Sequence, residues 1–146
     1  MNEQTPSPRE DTSDSRVEQT ILHLFEAWAT TDPEARLALL ERCWTDDGVY
    51  QDPQNRSEGR AGLSEIIAGF HAGRPGARIP LASGVDHHHG MLRFRWIMLG
   101  PDGAALTEGF DIGELAEDGR LRRITGFFGP FPALPAHWPD HIGHRG

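Results

Sequence analysis

Cysteine is nearly missing from this sequence. The 146-residue chain holds one, Cys43, so no intramolecular disulfide can form and no four-cysteine zinc site can be built. Tyrosine also occurs once, as Tyr50. Excess positive charge is absent: 14 Lys and Arg stand against 22 Asp and Glu, for a formal charge of -8 and a pI near 5.4. That balance argues against a nucleic-acid partner, because phosphates select basic surfaces. No apolar run approaches the ~20 residues of a membrane span. The opening "MNEQTPSPREDTSDSR" lacks the basic start and apolar stretch of a signal peptide. These absences set the expectation of a cytoplasmic protein with neither nucleic acid nor membrane as a partner. The length suits one domain with one core.

Residues 1–15 carry no large apolar residue after Met1 and read as a disordered arm. A domain is expected over 16–130 and an irregular tail over 131–146. Val17, Ile21, Leu24, Phe25 and Trp28 recur at helical spacing, with Ser13 or Asp14 as cap. Pro33 stops that helix and opens a second, capped by Asp32. The second helix carries Leu37, Leu40, Cys43 and Trp44 and is expected to end at Gly48 in "TDDG". Cys43 in this apolar stripe reads as a buried, inert thiol. Val49 and Tyr50 start a short strand that "DPQN" halts. A turn at Gly59–Gly62 leads into a third helix, "LSEIIAGFHAG".

Beyond "GRPGAR" the period changes from helix to strand. "ARIPLASGVD" reads as one strand and "HHGMLRFRWIML" as another, with Leu92, Phe94, Trp96 and Met98 alternating against Arg93, Arg95 and Ile97. "GPDG" and "EDGR" are turns, and "ALTEGFDIGELA" and "LRRITGFFG" are the returning strands. Helices first and a strand meander after them indicate an α+β domain. A curved antiparallel sheet wrapped round three helices encloses a hollow that suits a small molecule.

The segments "CWTDDGVYQDP", "EGRAGLSEIIAGF", "LRFRWIML" with "GPDG", and "EGFDIGELAEDGRLRRITGFFG", in that order, resemble the nuclear transport factor 2-like (NTF2-like) superfamily. Within it, they resemble the SnoaL-like polyketide-cyclase and ketosteroid-isomerase branch. The resemblance covers about Val17 to Gly129 and implies a cone-shaped fold. The superfamily hosts many activities, so it implies the fold far more strongly than any one reaction.

Asp52 aligns with the carboxylate that shuttles a proton in the isomerase branch. Such a base needs a partly apolar pocket that raises its pKa; the plainer reading is a turn-starting Asp before Pro53. Asp111 lies mid-strand, where Asp is disfavoured. In the resembling isomerases an aspartic acid in that strand stays protonated and helps to bind an oxyanion; a solvent-facing Asp is the alternative. His88 shares strand parity with Leu92, Phe94 and Trp96, provided no irregularity intervenes at Gly90, so it joins Asp52 and Asp111 as a candidate proton carrier. His87 and His89 could chelate a metal from the other face, but no second ligand cluster appears, and neither metal nor cofactor is expected.

Trp28, Tyr50, Phe70, Phe94, Trp96 and Phe128 are the candidate pocket lining. The first helix reads "ILHLFEAW" and lacks the tyrosine that shares the oxyanion in the isomerases. The expected function is binding of a small hydrophobic ligand, with isomerase- or cyclase-type proton transfer beside a carbonyl. The alternative is a non-catalytic ligand-binding or protein-interaction module. A homodimer paired through the sheet is implied by the resemblance.

Overall fold

A computed structural model describes residues 8–146, with side chains from Asp14 onward. The first part of the expected arm, residues 1–7, lies outside the described residues. From Pro8 the chain is helical: α1 spans Pro8–Ala29, and Pro suits a first helical turn because its missing N–H has no partner there. Ser13 and Asp14 therefore lie inside the helix and do not cap it. Helix α2, Pro33–Cys43, begins as expected, with the Asp32 carboxylate accepting from the Ala35 N–H at 2.9 Å.

Helix α2 stops at Cys43, five residues before the expected breaker. Trp44 is extended (φ -130, ψ 128) and starts β1, Trp44–Gln51. The indole of Trp44, fully buried, lies against Gly48, and any Cβ at Gly48 would collide with it. Gly48 thus serves close approach within a strand rather than helix termination. Strand β2, Arg56–Glu58, pairs antiparallel with β1. Helix α3, Gly59–Gly73, starts directly at Gly59, whose positive φ of 80 makes the bend that was expected to need four residues.

The remaining strands are β3 (Asp86–His88), β4 (Met91–Leu99), β5 (Ala105–Leu115) and β6 (Leu121–Phe128). They form one six-stranded sheet in the order β2-β1-β6-β5-β4-β3. The meander is antiparallel, but β1 lies parallel to β6. The sheet is therefore mixed, a correction to the wholly antiparallel expectation, and its curved inner face receives the three helices. "ARIPLASGVD" does not form a continuous strand. It makes isolated pairings, Arg78 with Leu99 and Leu81 with Trp96, because Pro80 has no N–H to return to the ladder.

The core lies between the helices and this inner face. Ile21, Leu24, Leu40, Leu63 and Ile67 from the helices meet Leu92, Phe94, Trp96, Leu121 and Ile124 from the strands. Beyond β6 the chain runs in turns; Phe131 packs edge-on to Phe110, and the Arg145 guanidinium donates to the carbonyls of Pro135 and Trp138. Among the described residues no helix is long and apolar enough to cross a membrane.

Glycines on β5 make room for this packing. A Cβ at Gly109 would run into the Phe127 carbonyl and the Trp96 indole, and one at Gly113 would lie 2.8 Å from Leu92 Cδ1. Neither the backbone carbonyl nor the wedged indole can retreat cheaply. Gly109→Ala should destabilise the domain by about 2 kcal/mol or more, measured as a lowered urea midpoint at unchanged slope; an unaltered midpoint would mean that the sheet yields there.

Candidate functional site

The curved sheet, α1 and α3 enclose a hollow of about 1140 Å³ that opens to solvent. Its inner wall includes Trp28, Tyr50, Trp96 and Asp111, and its rim carries Arg56, Glu65, Arg74, Leu106 and Phe128. Polar groups are frequent around the opening, so the hollow is more polar than the sequence implied. Chain order explains this: the rim is built from the β1–β2 turn, the exposed side of α3 and the β4–β5 hairpin, all of which face water.

Asp111 is the central group. Strand β5 alternates, so Gly109, Asp111 and Gly113 turn inward while Phe110 and Ile112 turn outward. The carboxyl is 8% exposed. Its Oδ1 accepts a hydrogen bond from Trp96 Nε1 at 2.9 Å. Directly across the ladder stands Gly126. A Cβ there would come within 2.8 Å of Asp111 Oδ1 and 3.5 Å of the Asp52 Cβ. This glycine is the gap through which the two aspartates share one corner of the hollow.

Asp52 reaches that corner from the end of β1. Its Oδ2 accepts from the Tyr50 hydroxyl at 2.7 Å, the pairing that two-residue spacing on one strand face predicts. Its Oδ1 accepts from the backbone N–H groups of Gln54 and Asn55, each at 2.8 Å. Asp52 builds the turn ahead of Pro53 and also lines the hollow. Asn55 also reaches both carboxylate oxygens with its side-chain amide, at 3.3 and 3.4 Å.

Burial raises the Asp111 carboxyl to about 7; the Trp96 indole N–H opposes the rise, and the nearby charge of Asp52 adds to it. Near neutral pH a large fraction of Asp111 therefore carries its proton and can donate. The Tyr50 phenol is driven above its ordinary range, first by burial and then by the charges of Asp52 and Asp111. It stays neutral, its hydroxyl donating to Asp52. The Cys43 thiol is pushed up to about 12 by burial, which makes it inert.

His88 stands elsewhere. His89 and Gly90 both have positive φ, 51 and 76, and form the two-residue turn joining β3 to β4. The irregularity at Gly90 that the parity reading excluded is thus present. His88 is exposed, outside the hollow, with Nδ1 3.1 Å from Nδ1 of His89. His87 pairs with Asp14 of α1 at 2.7 Å. Among the described residues no group of three or more His, Cys, Asp or Glu could hold a metal ion.

Of the candidate aromatics, Trp28, Tyr50, Phe70, Trp96 and Phe128 line the hollow. Phe94 does not; it is buried against Phe25 at 5.3 Å, edge-on, deeper in the core. Trp96 is fixed by Phe128, whose ring meets it edge-on at 5.5 Å. Gly126, Asn55 and Arg74 were not singled out from sequence. The spacing of Asp52 and Asn55 signals an Asx turn, but the place of Gly126 emerges only from the strand register.

A family model described as a SnoaL-like domain matches residues 21–124. Among solved structures, a candidate isomerase of the SnoaL-like family from Agrobacterium tumefaciens strain C58 is 31% identical. The match covers 82% of this chain and 99% of that one, with a TM-score of 0.73. A candidate SnoaL-like polyketide cyclase from Jannaschia sp. CCS1 is 18% identical over 86% and 90% of the two chains, with a TM-score of 0.66. An NTF2-like protein of unknown function from Exiguobacterium sp. 255-15 is 17% identical over 77% and 99%, with a TM-score of 0.60. The latter two bear on the fold alone. None of the curated proteins matches the chain.

The raised Asp111 value links stability to pH. The native state keeps a proton that the unfolded chain, with a carboxyl near 3.8, gives up. The stabilisation is complete below pH 3.8 and is lost as pH rises through about 7. Urea midpoints of Asp111→Asn should therefore lack a downward slope that the parent protein shows between those values. Equal slopes in both proteins would remove Asp111 as its source.

Proposed function

The chain belongs to the SnoaL-like domain family, and on that premise we propose that it binds a small cyclic ketone in the hollow and moves a proton beside its carbonyl. The observation that carries this reading is the pair of unlike aspartates around Gly126. Asp111 is buried with a proton to donate, and Asp52 is a carboxylate fixed by Tyr50, Gln54 and Asn55. In the proposed step Asp52 takes a proton from the carbon next to the carbonyl. The C–H bond breaks, its electron pair passes into an enolate, and Asp111 donates a hydrogen bond to the oxygen that gains charge. Where a double bond is conjugated with the enolate, return of the proton from Asp52 to the far carbon would complete an isomerisation; attack of the enolate carbon on a second carbonyl, whose oxygen then takes that proton, would close a ring. Trp28, Phe70 and Phe128 supply flat apolar surface for a ring system. His88, exposed on its hairpin, has no part in the step.

One observation favours the non-catalytic alternative. The hydroxyl of Tyr50, the only tyrosine, donates to Asp52, so of these two groups only Asp111 remains to donate to an enolate. A missing oxyanion donor typically costs about 3 kcal/mol of transition-state stabilisation. Deuterium exchange into 2-tetralone, followed by NMR, separates the readings. Catalysed exchange should slow about 100-fold in Asp52→Asn. It should also decline above pH 7 in the parent protein, as Asp111 loses its proton. Tight binding of the ketone with no catalysed exchange would leave a ligand-binding module.

We further propose that a second copy covers the outward sheet face. Phe110 and Phe127 stack there at 5.2 Å beside exposed Ile112, within a border of Arg93, Arg95, Glu108 and Glu114. A two-fold axis would set each copy's arginines against the other's glutamates. Phe127→Glu should shift the sedimenting species from dimer to monomer; a parent protein that sediments as a monomer at high concentration would exclude the pairing.

A further inference from the structure

The charges around the opening are unevenly placed. Two arginines belong to the lining, Arg56 and Arg74. Arg56 pairs with Glu58 at 3.3 Å. Arg74, exposed at the C-terminal end of α3, has no carboxylate partner among the described residues; its backbone is engaged, the N–H donating to the Phe70 carbonyl and the carbonyl accepting from the Ala77 N–H, each at 3.0 Å. Near the middle of α3 the lining carries Glu65, nine residues earlier, a separation of about 14 Å along the helix axis. Asp52 lies in the same lining, and the protein as a whole is acidic. An anion entering this hollow is repelled at one end and attracted at the other.

Between these two charges the wall alternates apolar side chains, Ile66 and Phe70, with bare backbone. Gly69 and Gly73 both line the hollow, and a Cβ at either would have nothing within 4 Å. Packing against the protein does not call for glycine at either position, and Gly69, inside the helix, costs about 1 kcal/mol relative to alanine. Their effect is to leave open space along α3 leading to Arg74.

We propose that the ligand carries a carboxylate besides its ketone, that Arg74 binds this group at the rim, and that Glu65 prevents the reverse orientation. This rests on reading the aspartate corner as the ketone site. A guanidinium forms paired, charge-assisted hydrogen bonds with a carboxylate. At the half-open rim these are strong enough to change affinity and weak enough to allow release. The hollow is thus a two-point site: the ketone sits by Asp111, the ring lies along the open face of α3, and the acid group sits at the helix end. Arg74 also complements the helix dipole, but that role would not respond to the charge of a ligand.

The test uses 2-tetralones bearing a carboxylate on methylene spacers of increasing length, each beside its own methyl ester, with affinity measured by calorimetry. At low salt at least one acid should bind the parent protein about tenfold more tightly than its ester. Arg74→Gln should abolish that preference while leaving ester affinity unchanged, and Arg74→Lys should keep part of it. Added salt should reduce it. Acids that bind no better than their esters, or a preference that survives in Arg74→Gln, would overturn the proposal. If the esters still bind in that event, and Asp111→Leu abolishes their binding, the ketone site itself stands. If neither acids nor esters bind the parent protein, both readings fall.

Discussion

A single carboxyl group held out of water in the middle of a strand is the constraint around which this structure is arranged. An ionised carboxylate is costly to bury without a cation. The lining offers no cation beside Asp111, only the Trp96 N–H and a second negative group nearby. Keeping a proton to about neutral pH is the remaining way to lower that cost. The same retention turns a structural liability into a hydrogen-bond donor at the base of an open hollow.

The neighbours of Asp111 follow from this. Trp96 can reach it because Gly109 leaves space for the indole. Asp52 can share its corner because Gly126 presents no side chain between them. Tyr50, which could have donated to a ligand, donates to Asp52 and fixes its direction. The turn through Gln54 and Asn55 fixes the other oxygen. Two identical residue types therefore differ by environment alone: one is buried and keeps its proton to about neutral pH, the other sits in a net of donors at the strand end.

The likeness to the Agrobacterium structure extends over most of both chains, so the scaffold is a shared one. The lining of the hollow carries this chain's own chemistry. The first helix contributes Leu24, Phe25 and Trp28 where a tyrosine would complete a two-donor site. The third helix exposes glycine backbone and places opposite charges along its length.

Much of the fold was legible because it rests on local rules. Asp32 and Pro33 mark a helix start by their own chemistry, and the alternation from Leu92 to Met98 marks an inward face whatever the partner strands do. Asp111 stood out because a carboxylate interrupts a strand that otherwise favours burial. The misreadings came where a local signal had two meanings. Gly48 could break a helix or admit an indole, and only the position of Trp44 decides. His88 could continue β4 or precede a turn, and two residues with positive φ decide for the turn. Phe94 shares a face with Trp96 but lies deeper, against Phe25, because depth depends on the opposing helix.

Periodicity, caps and turn residues are properties of neighbours along the chain, and from them the sequence by itself determined the α+β order of elements, the start of α2 and the meander. The parallel pairing of β1 with β6, the inward turn of Asp111 and its meeting with Asp52 around Gly126, and the position of Arg74 at the rim were decided only by the tertiary structure. Each joins residues far apart in sequence, and their distances follow from strand register and helix packing, which no local pattern encodes.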